Sequence, residues 1–293
     1  MVVLFPGIKA YANEYFRSIE GQIAEGVDLL ILNDNFDMNT LNSMPEATVL
    51  DMPPHFSPAE IRQVGIEYSV ESGYQNIIFS DGDDFFSSDR IMESLLHLEG
   101  SEFIYNQVIP VDSNGTILSS VTPSHMRMPS SVSSVDSLLD YNFLGLSNTA
   151  VTLKFLNDFI IPGGLVAVDW YLFTILLLMG AKGRFVKNAK TYYRQTESNL
   201  VGSQQPLNKE RLQVGIDVKY NHYTHVLKFC ETHNLISQGE KFNTKKKQMF
   251  ELKTALKDHD FTEEYINSIN FSMEHIYKGW WSEILTLPEW NKI

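Results

Sequence analysis

Short apolar runs and helix-spaced apolar stripes alternate through the first hundred residues. Val2 to Phe5 is such a run, ends at Pro6-Gly7 and predicts a buried strand. Phe16, Ile19 and Ile23 then predict a helix over roughly 13–24, which Gly26 closes. Val27 to Leu32 is the next strand run and stops at Asn33-Asp34-Asn35. Thr48 to Leu50 predicts a short third strand. Ser57-Pro58-Ala59-Glu60 offers an N-cap, a proline at the first helical position and a glutamate at the third. This capping box predicts a helix to about Ser72, stopped by Gly73, with Ile61, Val64 and Tyr68 toward the sheet and Arg62 on another side. Ile77 to Ser80 reads as the fourth strand. Strands and helices in this order predict βαβ units with right-handed crossovers.

Beyond Asp81 to Asp84 a helix is marked by Ile91, Leu95 and Leu98, with Ser88 as its cap and Gly100 as its end. Glu102 to Val108 reads as a strand, and Asp112 to Gly115 as a hairpin turn before a strand over Thr116 to Val121. Antiparallel pairing there makes the expected sheet mixed, though mainly parallel. Residues 122–134, around His125 and Arg127, show no period and read either as a plain connector or as a loop over an active site. Val135 to Leu139 suggests a short helix, Phe143 to Asn148 a turn or short strand, and Val151 to Phe159 is ambiguous. After Pro162-Gly163-Gly164, Asp169 opens a helix, Trp170 to Met179, that is apolar on nearly all sides and so buried. Arg184 to Tyr193 alternates as a strand. Past a linker-like stretch at 202–206 come helices over roughly 208–233, 242–258 and 262–277, then Trp280, Trp281 and Trp290. The expected organisation is an α/β domain over 1–203 and a helical extension over 204–293.

Charge and cysteine content narrow the partners. The 293 residues carry 23 Lys and Arg against 36 Asp and Glu, a net −13 that argues against a nucleic-acid backbone as partner. The single cysteine, Cys230, forms no internal disulfide and fits a reducing compartment. The first residues lack the basic lead of a signal peptide, and the apolar stretch 172–179 is too short to span a membrane. A soluble, cytoplasmic protein is expected, with association at the inner membrane face left open. Lys245 to Lys247 reads as a solvated helix face rather than a membrane patch.

The acidic block is the chemical centre of this pattern. Asp81, Asp83 and Asp84 follow a buried strand directly, and carboxylates so crowded need a cation or a set of donors. Mg²⁺ and similar hard ions commonly bridge one or two carboxylates to substrate phosphates, and open α/β sheets bind ligands beyond the strands' carboxyl ends. A solvated acidic turn before a helix is the other reading.

The order of Pro6, Asn33-Asp34, Phe79-Ser80-Asp81-Gly82-Asp83-Asp84, then Asp169 before a buried helix leading to Tyr193-Arg194, resembles the family 2 glycosyltransferases. These are inverting enzymes of the GT-A fold, and the resemblance covers roughly residues 2–200. It implies a GT-A-like, Rossmann-type sheet, with Pro6 near the nucleotide base and Asp34 on the nucleoside. The family's Asn-Asp-Gly-Ser run is Asn33-Asp34-Asn35-Phe36 here. Its Arg-Asn segment is matched only by Arg62 and Gly65. Its Asp-x-Asp falls on Asp81-Gly82-Asp83, implying Mn²⁺ or Mg²⁺ held through Asp83 with Asp81. Its catalytic base falls on Asp169, preceded by Val168 where glutamate is frequent. Its final Tyr-Arg-x-His-x-x-Asn run is matched by Tyr193, Arg194 and Asn199, with Gln195 near the usual histidine.

The resemblance thus implies transfer of a sugar from a nucleotide sugar, UDP being the commonest carrier, to a glycan or lipid-linked acceptor. Each residue keeps a second reading. Asp169 can be a helix N-cap whose charge the helix end stabilises, Asp34 a turn former, and Arg194 a surface ion-pair partner instead of a phosphate ligand. A haloacid-dehalogenase-type phosphatase would place its acidic pair at the first strand. A sugar nucleotidyltransferase would carry a glycine- and arginine-rich loop there, which Phe5 to Lys9 lacks. That transferase class and a non-catalytic nucleotide-sugar-binding protein are the alternatives. The C-terminal helices can cover the catalytic domain, bind acceptor or form a homodimer.

Overall fold

The computed structural model of the chain describes residues 1–118, 128–195, 207–272 and 284–291. His125, Arg127, the far half of the 116–121 stretch, the 202–206 linker, Asn199, Trp280 and Trp281 lie outside the described residues.

The opening alternation folds as its pattern predicts. Strands β1 (Val2–Leu4), β2 (Leu29–Asn33) and β3 (Ala47–Asp51) alternate with helices α1 (Ala12–Glu20) and α2 (Pro58–Glu71). Val2, Leu4, Leu29 and Ile31 pack with Phe16 and Ile19 of α1, whereas Val3, Leu30 and Leu32 pack with Ile61 of α2. Both faces of β1 and β2 are thus covered, which is why they read as continuous apolar runs. The capping box forms as expected: the Glu60 amide donates to Ser57 Oγ, and the Ser57 amide donates to Glu60.

The fourth strand departs from expectation, because its residues serve two sheets. β4 (Asn76–Ile78) pairs antiparallel with β9 (Thr149–Thr152), whereas β5 (Ser80–Asp81) pairs parallel with β1. Phe79 between them is fully buried. The first sheet therefore runs β3-β2-β1-β5 with every pair parallel. The second runs β4-β9-β7-β10-β6, where β6 is Phe85–Phe86, β7 is Phe103–Val111 and β10 is Gly183–Arg194; β8 (Ser131–Val132) also joins β10. Only the β7–β10 pair is parallel there. The expected single, mainly parallel mixed sheet is thus resolved into one wholly parallel sheet and one largely antiparallel one.

Two local readings are corrected as well. The N-cap position of helix α3 (Arg90–Leu98) is Asp89 rather than Ser88, and no side chain caps it. The hairpin after β7 reduces, among the described residues, to a turn at 112–115 and a single Val111–Ile117 bridge.

The second sheet lies between α3 and α4 (Val168–Leu178). Leu98 packs on Ile104, Ala150 and Val186 on one side, while Phe173 of α4 meets Phe103 on the other. Helices α5 (Lys209–Thr232), α6 (Ile236–Ala255), α7 (His259–Ser272) and α8 (Leu287–Trp290) continue the same apolar core. Its hub is Trp170, whose ring stacks on His222 of α5 at 3.8 Å and whose Nε1 donates to the Leu138 carbonyl. Of the lysine run, Lys247 is exposed as expected, whereas its two neighbours are engaged by the protein. Lys245 pairs with Asp140 and Glu289, and Lys246 lies over the Tyr220 ring. No helix among the described residues is long and apolar enough to cross a membrane.

Candidate active site

Parallel pairing brings the carboxyl ends of β3, β2, β1 and β5 to one edge, the edge at which open α/β sheets take ligands. Pro6 opens an exposed 3₁₀ turn beyond β1. Asp34 lies beside it, its amide donating to the Leu4 carbonyl. Asn35 has φ of +58°, a left-handed conformation that asparagine enters more readily than most residues. That explains how asparagine stands where the resembled motif carries glycine. Arg62, from α2, reaches across and donates to Asp81 Oδ1 at 3.3 Å.

The acidic turn is pressed tightly against β1. A Cβ on Gly82 would sit 2.5 Å from Ile8 Cδ1 and 2.8 Å from Leu4 Cδ2, so any larger residue between Asp81 and Asp83 would have to push those side-chain ends aside. Burial pushes the Asp83 carboxyl up to about 6 and Asp81 adds to the rise, while Arg194 and Arg62 oppose it. Asp84 is fully buried. Its Oδ1 accepts from the Arg194 amide at 3.0 Å, and among the described residues its Oδ2 has no partner within hydrogen-bond geometry, though Ser147 is near enough to oppose the rise in its pKa. Burial first, then Asp83 and Asp81, hold Asp84 well above the usual carboxylate range. Negative charge here is short of compensation, which suits a bound cation. Among the described residues, however, no three His, Cys, Asp or Glu side chains form a group that could hold a metal ion. An ion here would draw its remaining ligands from substrate oxygens and water.

Asp169 meets this region from the far side. It occupies the second position of α4, not the N-cap, which is Ala167. Its Oδ1 accepts from the Trp170 amide at 2.7 Å. The capping reading is therefore replaced by a carboxylate inside the first turn. Helix-end stabilisation does not prevail either: burial pushes Asp169 up to about 6, with Asp81 adding and the Trp170 amide and Arg62 opposing.

A cleft enclosing about 690 Å³ of empty space, open solvent included, is lined by both Asp81 and Asp169. Thr191 and Tyr193 of β10 and the 142–148 segment complete its walls, with Val108 and Met128. Asp83, Asp34, Pro6, Arg62 and Arg194 are outside its lining. Sequence reasoning missed the 142–148 segment, whose only local mark is Gly145 in an aperiodic stretch. A Cβ on Gly145 would lie 3.2 Å from Asn148 Oδ1 and 4.0 Å from Asp169 Oδ2, so this glycine keeps the space beside the carboxylate open. Arg194 is buried and bonded to Glu14 and to carbonyls of the two turns beside it.

No protein-family profile matches the chain, and no curated protein sequence does either. Solved structures share its fold. The crystal structure of S. aureus TarS 1–349 in complex with UDP-GlcNAc superposes with a TM-score of 0.53 at 16% identity, over 77% of this chain and 65% of that one. Another crystal structure of S. aureus TarS gives the same TM-score and identity, over 77% of this chain and 39% of that one. The chain thus spans just under two thirds of the shorter TarS chain, and what the two have in common is their fold.

Proposed function

We propose that this protein is an inverting, metal-dependent glycosyltransferase of the GT-A type, moving a sugar from a nucleoside-diphosphate sugar to an acceptor hydroxyl. One observation carries the reading: Asp81, at the end of a parallel strand, and Asp169, in the first turn of α4, line the same cleft. The order of motifs in the sequence and the fold shared with TarS support it.

In this reading the acceptor hydroxyl donates a hydrogen bond to Asp169. The carboxylate takes the proton as the acceptor oxygen bonds to the anomeric carbon, and the bond to the diphosphate breaks on the opposite face. A base near pKa 6 suits this step, being ionised at neutral pH yet basic enough to accept the proton. Asp83, with Asp81, would hold Mn²⁺ or Mg²⁺, which supplies positive charge to the leaving diphosphate. Asp34 and Pro6 would meet the nucleoside, and Arg62 the phosphates. The acceptor would be a glycan or a lipid-linked saccharide. The stretch 1–203 would be the catalytic unit, with 204–293 its helical cover.

UDP-GlcNAc, bound in the TarS crystal structure, is the first donor to test. The experiment is incubation with UDP-sugars and Mn²⁺, followed by product analysis. Free UDP is expected, and it should disappear in both Asp83→Ala and Asp169→Asn. Release of pyrophosphate would instead indicate nucleotidyl transfer, and donor binding without turnover a non-catalytic binding protein.

A further inference from the structure

Arg194 has the charge of a phosphate ligand and the surroundings of a structural clamp. Its side chain is 1% exposed. Nε donates to the Asp83 carbonyl at 2.8 Å, and Nη1 to the carbonyls of Ser113 at 2.9 Å and Asp112 at 3.2 Å. Nη2 donates to the Glu14 carboxylate. The Arg194 backbone amide holds Asp84 Oδ1. The guanidinium carbon lies 4.5 Å from the Tyr11 ring centroid and 5.5 Å from that of Phe85. Phe85 in turn stacks on Tyr192 at 4.6 Å. One side chain thereby ties together the acidic turn, the 112–113 turn and α1.

We infer that Arg194 is a positioning residue: with Glu14 as its counter-ion it fixes the backbone of the acidic turn from behind and does not itself touch the diphosphate. This builds on the metal–diphosphate reading of Asp81 and Asp83. The physical argument is one of occupancy and desolvation. A phosphate could reach the guanidinium only by displacing carbonyls and a carboxylate that already satisfy it, and a buried arginine stripped of its partners is strongly destabilising. The planar fork addresses three directions at once, which the point charge of lysine does not reproduce. Glu14 is over a third exposed and can be changed without opening the core.

The test compares wild type, Arg194→Lys, Glu14→Ala and Glu14→Gln. Hydrogen exchange of the amides over 81–86, without ligand, is the first readout. Arg194→Lys and Glu14→Ala should speed exchange there about tenfold or more through loss of charge-assisted hydrogen bonds. Glu14→Gln, which keeps an acceptor for Nη2, should restore most of the protection. Calorimetric UDP binding, in EDTA and in Mn²⁺, is the second readout. Loss of a supporting partner should weaken the Mn²⁺-promoted part of the affinity about 10–100-fold and leave metal-free UDP affinity unchanged.

Unchanged exchange over 81–86 in Arg194→Lys and Glu14→Ala would overturn the inference. So would an equal fall in UDP affinity with and without metal in Arg194→Lys, since a direct phosphate ligand behaves that way. If Arg194→Lys does not fold, the Glu14 pair decides by the same exchange readout. Wild type lacking Mn²⁺-promoted UDP binding would defeat the metal–diphosphate reading, while faster exchange in Glu14→Ala would still support the clamp.

Discussion

Asp83 in the acidic turn and Asp169 in the first turn of α4 are both held near 6, yet for different reasons. At the turn, burial is compounded by like charge: Asp81 raises Asp83, and Asp83 and Asp81 together raise Asp84. Around Asp169 burial leads, among cleft walls that include Phe143, Leu146, Val108 and Met128, and the contribution of Asp81 ranks behind the opposing Trp170 amide and Arg62. A crowd of carboxylates is relieved by a cation, whereas a carboxylate governed mainly by burial is relieved by a proton. The same apparent acidity therefore supports two roles, a cation seat and a proton acceptor.

The largest expected effect falls on the proton acceptor. Asp169→Asn should lower transfer by about 10²–10⁴-fold, the usual worth of a general base, while Mn²⁺-dependent UDP affinity stays at the wild-type value. Asp83→Ala should do the converse at the binding stage and remove the Mn²⁺-promoted part of UDP affinity in calorimetry. If Asp83→Ala kept its response to Mn²⁺, or Asp169→Asn lost it, the two carboxylates would not divide the work in this way.

How far this division was legible depended on how local each feature is. The capping box at Ser57 and Glu60 involves four consecutive residues, and α2 formed where it predicts. The strand ends at Asn33-Asp34 and at Asp81 were equally legible, because an apolar run that stops at turn formers needs no distant partner. The split at Phe79 was not, since only the pairing of Asn76–Ile78 with Thr149–Thr152 draws those residues into a second sheet. The position of Asp169 was legible, but its environment was not. Helix-end reasoning lowers its pKa, whereas burial beneath the 142–148 segment raises it. Arg194 could be named from the sequence as a cation near phosphate. Its partner Glu14 lies 180 residues away and left no local signal.

Stability gives a smaller effect with a definite sign. Asp169 has a folded pKa of about 6 against 3.8 for the free side chain, so the fold favours its neutral form. That contribution is complete below the unfolded value and is lost as pH rises through about 6. At pH 8 the ionised carboxylate should cost up to about 3 kcal/mol, from a shift of roughly two units. Asp169→Asn should therefore be more stable than wild type in urea at pH 8, with the gain vanishing near pH 4. An equal gain at both pH values would mean that repacking, not charge, is responsible.

The smallest effect concerns a cation that, among the described residues, acts on both regions. Arg62 opposes the rise at Asp83 and at Asp169 alike, although its hydrogen bond goes to Asp81. Arg62→Gln keeps a donor near Asp81 and removes the charge. Asp169 should then climb, and because transfer requires its ionised form, the acid limb of the transfer–pH profile should move to higher pH. The displacement should stay below about one unit, since Arg62 ranks behind burial and the Trp170 amide among the influences on Asp169. The limb should move even with Mn²⁺ saturating, because the cation at Asp83 does not replace a charge acting on Asp169. A limb that moves only when Mn²⁺ is limiting would place the whole influence of Arg62 at the acidic turn and make the two carboxylates electrostatically independent.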